Sequence, residues 1–204
     1  MDKEKAIAVF GGSFNPPLCS HFSIAEHILN EFEEVERILF VPVNTKYNKA
    51  GLIENEHRYN MLKLVCEKNP YFGVSDVEIR QSRQLYTIET LDLLQEEYPE
   101  YKLHFVIGTD NLREVYWWKD ADRLLRSYKL IVVERDDDNV DEIIEHDDFL
   151  KQYKDMDVII KCKENIKSNI SSTYVRDRLR HGKSIRYLTP DEVYNYIEEN
   201  YLYK

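Results

Sequence analysis

Short, β-rich apolar runs alternate with longer amphipathic stretches along the chain, and this alternation limits the folds available to it more than any other feature. Six runs are predicted as strands: Ala6 to Phe10, Arg37 to Val43, Phe72 to Ile79, Leu103 to Ile107, Lys129 to Glu134 and Asp157 to Lys161. Strands that alternate with helices are typical of a parallel sheet covered by helices. The pattern therefore predicts one doubly wound α/β domain over residues 1–204, with a mainly parallel sheet.

Helical periodicity fills the intervals between these runs. The predicted helices are about His21 to Phe32, Glu54 to Glu67, Ile88 to Tyr98, Asn111 to Arg126, Val140 to Tyr153, Thr173 to His181 and Pro190 to Glu199. The last two follow the final strand and form a C-terminal helical part at about 170–204. Ligands of open α/β sheets bind at the carboxyl ends of the strands, so we expect the functional residues in the loops that follow them.

Composition and charge narrow the classes of partner. A net charge of -10 argues against a general nucleic-acid or anionic-membrane binder, so a phosphate site would be a local basic exception. Three cysteines without a CxxC pair suggest neither a disulfide framework nor a zinc site, which fits a reducing cytoplasm. No apolar run approaches the roughly 18 residues of a membrane span, and no targeting segment is recognised. Association of the chain with copies of itself stays open.

The loop after the first predicted strand reads GGSFNPPLCSH and has the features of an anion site. Gly11 and Gly12 lack a Cβ, which lets a ligand or a strand approach the backbone, although a plain turn explains them about as well. The loop is neither a Walker A loop nor GxGxxG. Ser20 is predicted to cap the helix that begins at His21, and free amides at a helix N-terminus attract anions. A lone histidine is nevertheless more often a surface or core residue.

A second stretch, NISSTYVRDRLRHG, repeats this logic before a late helix. Ser171, Ser172 and Thr173 offer hydroxyls and backbone amides, and Arg176 lies one turn into the helix, where its fork of N–H donors would reach a phosphate. A capped amphipathic helix with solvated arginines is the alternative.

Two further stretches have both functional and structural interpretations. Gly108 and Asp110 follow a strand, and Asp110 would either accept a ribose hydroxyl or cap a helix. Trp117 and Trp118 are expected about 100° apart on one helix, so that one packs in the core and the other is available for stacking. The acidic segment from Asp136 to Asp148 lacks the spacing of an EF-hand loop, which favours a solvated helix face over a calcium site.

Taken together, GGSFNPPxxxH, GTDN and ISSTYVR resemble the nucleotidylyltransferases and, more closely, the bacterial nicotinate-nucleotide adenylyltransferases. The resemblance extends over nearly the whole chain, through EHRYNMLKL, YTIETL and TPDEVYNYIEENYLY. It implies a Rossmann-like fold and an enzyme of NAD biosynthesis. In that reaction the phosphate of a pyridine mononucleotide attacks the α-phosphorus of ATP and pyrophosphate leaves, so the protein positions substrates and stabilises charge.

The resemblance also implies roles for individual residues. His21 and Arg176 would contact the triphosphate, and Lys49 would bring positive charge towards phosphate. Magnesium would bridge the triphosphate oxygens, with no metal ligand assigned to the protein. The ATP-binding set would be Gly11, Gly12, Ser13, Phe14, Gly108, Asp110, Ile170, Ser171, Ser172 and Thr173. The mononucleotide-binding set would be Lys46, Tyr86, Thr87 and Trp118.

The chain departs from the family where the active site is expected. The family motif HxGH is replaced by Leu18, Cys19, Ser20 and His21. Leucine can neither donate a hydrogen bond nor carry charge, and losing one donor aimed at transition-state charge costs about 100- to 1000-fold in rate. His27 lies roughly 9 Å further along the helix than His21 and about 240° around it, so it cannot substitute for the missing motif histidine. Lys46 is the better candidate for compensation.

These departures leave three hypotheses open. The first is adenylyl transfer from ATP to nicotinate or nicotinamide mononucleotide, at a reduced rate. The second is a nucleotide-binding homologue that has lost catalysis and serves as a sensor or partner protein. The third is a transferase with a different phosphorylated acceptor, since Arg83, Gln84 and Leu85 replace the Gly-Pro-Ser that precedes the Tyr-Thr pair in the family.

Overall fold

The central feature of the fold is a parallel sheet. A computed structural model describes residues 4–46, 51–134, 137–163 and 170–204. Within these ranges all the strands lie in one sheet in the order β3-β2-β1-β4-β5-β6, and each pairs with its neighbours in parallel. The strands are Ala6–Gly12 (β1), Val35–Pro42 (β2), Phe72–Val74 (β3), Lys102–Gly108 (β4), Lys129–Val133 (β5) and Ile159–Cys162 (β6). The α/β prediction is confirmed, and the sheet is all-parallel rather than mainly parallel.

Helices occupy the connections between the strands and the end of the chain. In the described residues they are Cys19–Glu31 (α1), Asn55–Cys66 (α2), Thr87–Glu97 (α3), Thr109–Glu114 (α4), Ala121–Ser127 (α5), Val140–His146 (α6), Ser172–Arg180 (α7) and Asp191–Glu199 (α8). Short 3₁₀ segments at Val115–Trp117 and Leu150–Tyr153 follow α4 and α6. None of these helices is long and apolar enough to cross a membrane.

The sheet is buried on both faces by two separate apolar clusters. Ile7 and Val9 of β1 belong to one cluster, which also includes the buried face of α3. Ala6 and Ala8 belong to the other, beneath α1. Side chains alternate between the faces of a strand, and burying both faces explains why the strands are apolar almost throughout.

A third apolar cluster lies outside the sheet and joins elements that are distant in sequence. Its buried members are Leu18, Met61, Val175, Ile185, Val193 and Ile197. They come from the start of α1, from α2, from α7 and α8, and from the segment between α7 and α8. The cluster therefore holds the C-terminal helices against the start of α1.

Three predicted elements are shorter than their sequence patterns indicate. The predicted strand from Phe72 to Ile79 ends at Val74. The predicted helix from Asn111 to Arg126 is interrupted because Trp118 is extended and Asp120 adopts a left-handed conformation with φ of 52°. The predicted helix from Val140 to Tyr153 ends at His146, and the side chain of Asp147 then accepts hydrogen bonds from the next turn.

Candidate active site

A crevice opens where the connections of the sheet change direction, between β1 and β4. These strands pair only as far as Phe10 and Val106, and beyond that point Gly11 and Gly12 pair with β2 alone. Beyond this point lies a cavity of about 420 Å³. Ligands of doubly wound folds bind at this place in the topology. The cavity is lined by residues 11–13, Val43, Glu78, residues 84–87, residues 105–107, Asn111, Glu114 and residues 117–119.

The two glycines of the first loop are explained by aromatic rings packed close to the backbone. A Cβ on Gly11 would lie 3.1 Å from the ring of Phe105, and one on Gly12 would lie 3.1 Å from the ring of Phe14. Phe14 has a positive φ of 43°, which is strained for a residue with a side chain. Its ring is buried against His21 and Phe40, so the side chain of Phe14 is not available to a ligand.

A buried arginine fixes the first loop from beneath. The side chain of Arg58 is fully buried and donates hydrogen bonds to the carbonyl oxygens of Ser13 and Ile53 and to the side chain of Asn55. Burial lowers the pKa of Arg58. The hydrogen bond to Ser13 ties the first loop to α2, and a buried, fully hydrogen-bonded side chain of this kind is rigid.

Asn15 links the first loop to three other segments. Its amide nitrogen donates to the carbonyl of Gly51 at 2.7 Å, and its side-chain oxygen accepts from the hydroxyl of Tyr203 at 2.9 Å. Its backbone carbonyl accepts from Nη1 of Arg176 at 2.8 Å. One buried residue therefore connects the first loop with the segment before α2, with α7 and with Tyr203 near the end of the chain.

The N-terminus of α7 docks directly on the first loop. Ser171 is the N-cap of the helix, and its hydroxyl oxygen accepts a hydrogen bond from the backbone N–H of Tyr174. Ser172 donates from its hydroxyl to the carbonyl of Pro16 at 2.9 Å. Thr173 accepts from Nη2 of Arg176 at 3.2 Å. The two stretches that the sequence singled out separately thus lie side by side.

Arg176 combines a charge with an unsatisfied donor. Its Nε–H is buried and has no hydrogen-bond partner among the described residues. Burial lowers the pKa of Arg176, and the nearby Arg180 adds repulsion. An unpaired buried donor costs about 1 to 3 kcal/mol, so the arrangement favours an incoming anion.

His21 stands in the first turn of α1 with a defined hydrogen bond at one ring nitrogen. Its Nδ1 lies 2.9 Å from the backbone nitrogen of Leu18 and accepts that N–H. Because Nδ1 is the acceptor, the neutral ring carries its proton on Nε2. The ring also contacts Phe10 and Phe14 edge to face. His21 is therefore oriented as a donor at Nε2, which suits a phosphate oxygen.

The predicted start of α1 is corrected by the structure. The helix begins at Cys19 rather than His21, and Leu18 rather than Ser20 occupies the N-cap position. His21 is the third residue of the helix, and its ring accepts a hydrogen bond from the backbone N–H of Leu18, as the third residue does in a capping box. Leu18 itself is 2% exposed, with its side chain in the third apolar cluster.

Three of the four predicted mononucleotide-binding residues line the cavity. Tyr86 and Thr87 lie at the N-terminus of α3, and Trp118 packs on Phe105 with ring centroids 6.3 Å apart. Trp117 lies on the same wall and is 81% exposed. The prediction that both tryptophans lie on one helix is wrong. Trp118 does pack on the core and Trp117 does not.

The fourth predicted residue, Lys46, does not line the cavity. Its ammonium group donates to the carbonyl of Ser82, in the segment that leads to the cavity wall. Lys49 lies outside the described residues. Gly108 and Asp110 lie at the N-cap and first turn of α4, and Ile170 directly precedes the cap of α7. These three residues do not line the cavity.

The cavity lining carries charges of both signs. Glu78, Glu114 and Lys119 line it. Burial raises the pKa of Glu78, although Thr90 donates a hydrogen bond to its carboxylate at 2.9 Å. Next to the lining residues 84–87, Arg83 forms a bidentate pair with Glu89. That pair and the backbone N–H of Tyr86 lower the pKa of Glu89 to about 2.

Four residues at this site are missed by the sequence-based prediction: Asn15, Arg58, Glu78 and Tyr203. Arg58 and Tyr203 lie within EHRYNMLKL and YIEENYLY, which resemble the family without indicating a role. An arginine on a helix reads as a solvated residue, and only the tertiary contacts show that this one is buried.

Comparisons with known proteins agree with this architecture. The sequence profile of the cytidylyltransferase-like family matches residues 9–178. A relative from Caldicellulosiruptor bescii, named probable nicotinate-nucleotide adenylyltransferase, is 36% identical over 199 residues, which cover 97% of this chain and 98% of that protein. A relative of the same name from Carboxydothermus hydrogenoformans is 32% identical over 200 residues, with 97% and 98% coverage.

A solved structure shares the fold. Plasmodium falciparum nicotinic acid mononucleotide adenylyltransferase, described as a complex with NaAD, matches with a TM-score of 0.77 at 22% identity. The match covers 98% of each chain, so the whole described architecture has a counterpart in that protein.

Proposed function

The chain belongs to the cytidylyltransferase-like family and to the nicotinate-nucleotide adenylyltransferases, and from this premise we propose that it transfers the adenylyl group of ATP to nicotinate mononucleotide. A phosphate oxygen of the mononucleotide attacks the α-phosphorus of ATP. The bond between that phosphorus and the oxygen that bridges the α- and β-phosphates breaks. Pyrophosphate leaves with the electron pair of the broken bond. The products are the dinucleotide and pyrophosphate.

The docking of α7 on the first loop is the observation that carries this proposal. Ser172 and Arg176 both bind backbone carbonyls of the loop from Asn15 to Pro16, beside the cavity at the strand switch point. ATP would bind between this loop and α7, with Arg176 and His21 donating to its phosphates. Backbone amides at Gly11 to Ser13 and at the capped start of α7 would add further donors.

The cavity would hold the acceptor. Trp118 would contact the pyridine ring, and the backbone of Tyr86 and Thr87 at the N-terminus of α3 would bind polar groups on it. This arrangement leaves the mononucleotide phosphate towards the first loop. The reaction then depends on the relative placement of two phosphates, since no covalent intermediate with the protein is needed.

Magnesium would enter as the partner of ATP. The described residues of the first loop and of the N-terminal turn of α7 supply N–H and hydroxyl donors rather than carboxylates, so they fit the phosphates instead of a hard cation. The ion would therefore be held mainly by triphosphate oxygens, where it neutralises charge on the transferring group.

Release of pyrophosphate tests the proposal. The protein is assayed with ATP and magnesium and, in separate reactions, nicotinate mononucleotide, nicotinamide mononucleotide and ribose 5-phosphate. We expect release with nicotinate mononucleotide and a loss of about 100-fold or more in Arg176→Ala. Arg178→Ala is the matched control, because Arg178 lies on the same helix but bonds Ser184 and Tyr174.

The alternative outcomes distinguish the remaining functions. Measurable ATP binding without release of pyrophosphate from ATP in the presence of any of the acceptors would exclude the enzyme and favour a nucleotide-binding protein. Release with ribose 5-phosphate alone would assign a different acceptor. The burial of Leu18 bears on the rate, since its side chain supplies nothing to the phosphates.

A further inference from the structure

Three side chains outside the nucleotide site converge where α1 meets the end of β6. His27 and Glu31 lie four residues apart on α1, which places them on one face of the helix. Cys162 is the last residue of β6. The ring nitrogen of His27, a carboxylate oxygen of Glu31 and the sulfur of Cys162 all lie within 4.8 Å of one another.

These three groups match the ligand types of zinc and related divalent transition metals. Zn²⁺ binds imidazole nitrogen, thiolate sulfur and carboxylate oxygen at about 2.0 to 2.3 Å, so neighbouring ligands of a tetrahedral site are separated by about 3.4 Å. Nε2 of His27 is already 3.3 Å from Oε2 of Glu31. The sulfur of Cys162 is within 4.8 Å of both of these atoms, so the third ligand is already close to the separation that coordination needs.

The surroundings hold the carboxylate in a fixed orientation. The backbone N–H of Lys163 donates to both oxygens of Glu31, at 3.0 and 2.9 Å. Such outer contacts orient ligands in known metal sites. The sulfur of Cys162 is fully buried, whereas His27 and Glu31 are partly exposed, so an ion has a route from solvent. One carboxylate and one thiolate would neutralise a divalent cation.

We propose that His27, Glu31 and Cys162 bind a zinc-class divalent metal ion, with water completing the coordination. Binding releases the thiol proton to solvent, and the proton on Nε2 of His27 moves to Nδ1. The ion ties the end of β6 to α1, just before the segment that leads to Ser171 and α7. This site does not depend on the proposed adenylyl transfer.

Hydrogen bonding alone also accounts for part of the cluster, because His27 contacts the carbonyl of Lys163 and Glu31 accepts from Lys163. The test must therefore detect coordination by sulfur. Cobalt(II) is the probe, since thiolate coordination gives a charge-transfer band in the near ultraviolet and tetrahedral geometry gives visible bands. Chelator-stripped full-length protein is titrated with Co²⁺, and Zn²⁺ is then added as a competitor.

We expect one Co²⁺ per chain, a thiolate band that Zn²⁺ abolishes, and a higher melting temperature with Zn²⁺ than without it. Cys162→Ser should lose the band, and His27→Gln should weaken binding by about tenfold or more. Cys66→Ser is the matched control, because Cys66 is also buried but lies on α2 outside the cluster.

The wild-type titration decides the matter even where a variant fails to fold. Absence of a thiolate band in the wild-type protein at stoichiometric Co²⁺ would overturn the proposal. A band that survives in folded Cys162→Ser, or unchanged affinity in His27→Gln, would do the same.

Discussion

At the scale of single residues, Leu18 has a structural role that its position in the sequence conceals. It replaces a histidine of the family motif, and its side chain packs in the third apolar cluster with Met61, Val175 and Val193. A residue buried there helps to hold α7 against the first loop. The replacement therefore removes a polar group from the motif and adds apolar contact beneath it.

Restoring the motif histidine should carry a cost in stability. In Leu18→His, the imidazole either leaves a polar atom unpaired in an apolar cluster or leaves a cavity behind. We expect the free energy of unfolding to fall by about 1 to 3 kcal/mol, measured by urea denaturation. Leu18→Met, which conserves volume, should cost less than about 1.5 kcal/mol. A Leu18→His protein as stable as the wild type would contradict this packing role.

Lys46 is the residue proposed to compensate for the lost histidine. Its ammonium group binds the carbonyl of Ser82, so it lies on the acceptor side of the site. Compensation requires this ammonium group to exchange the Ser82 carbonyl for the mononucleotide phosphate when the substrate binds. Lys46→Ala should then lower kcat/KM for the mononucleotide by about tenfold or more, because that charge-assisted contact can no longer form. Lys63→Ala on the exposed face of α2 is the control. Unchanged adenylyl transfer in Lys46→Ala would exclude compensation by this residue.

At the scale of elements, the segment after β3 shows how side chains end a strand. The apolar pattern continues to Ile79, but Nδ2 of Asn44 donates to the carbonyls of Glu78 and Gln81 and draws this segment into a turn. The turn brings Glu78 to the cavity wall and against Thr90 of α3. A cavity wall is thus formed where the sequence predicts a longer strand.

This turn contains a carboxyl group whose ionisation opposes folding. Burial raises the pKa of Glu78 above its unfolded value, so its charge destabilises the folded state as the pH rises through the folded pKa. Glu78→Gln should therefore increase the free energy of unfolding at neutral pH, and the gain should vanish at acidic pH below the unfolded pKa. Urea denaturation at several pH values measures this.

Glu96→Gln, an exposed change on α3, is the control for that series. A Glu78→Gln protein that is less stable than the wild type at neutral pH would contradict the account. A gain in stability that persists unchanged in acid would contradict it as well.

At the scale of the whole molecule, the last residues of the chain return to the first loop. Helix α8 packs on α2, and the chain then places the hydroxyl of Tyr203 on Asn15. Tyr203 also lies near Arg58 and Arg176, and its burial raises the pKa of its hydroxyl. In a chain with a net charge of -10, these two arginines form a local positive region around the loop.

Removing the Tyr203 hydroxyl should make the first loop less rigid and leave the cavity lining unchanged. In Tyr203→Phe, Asn15 loses one donor, and a net hydrogen bond of about 0.5 to 1.5 kcal/mol corresponds to a two- to tenfold rise in KM for ATP. KM for the mononucleotide should change less. Tyr201→Phe is the matched control, because Tyr201 is 76% exposed. Equal changes in both KM values would indicate a general loss of stability instead.

The sequence by itself determined the fold class, the order of the elements and the two stretches that the structure brings side by side at the candidate site. Apolar period and turn residues are local properties, so alternation predicts strands and helices, and GGSFNPP and ISSTYVR mark loops that precede helices. The resemblance to the family was likewise recognised from these motifs. Local patterns do not report which side chains meet. They therefore placed the N-cap at Ser20, put both tryptophans on one helix and extended β3 beyond Val74, and all three predictions were wrong.

Only the tertiary structure decided how the site is assembled. It placed Arg58 beneath the first loop, Arg176 and Tyr203 on Asn15, and Leu18 in a cluster with residues from α7 and α8. These contacts join residues up to 188 positions apart. Burial and hydrogen-bond partners arise from packing of the entire chain, so a buried arginine or a core leucine in a motif is recognised only when its neighbours are known.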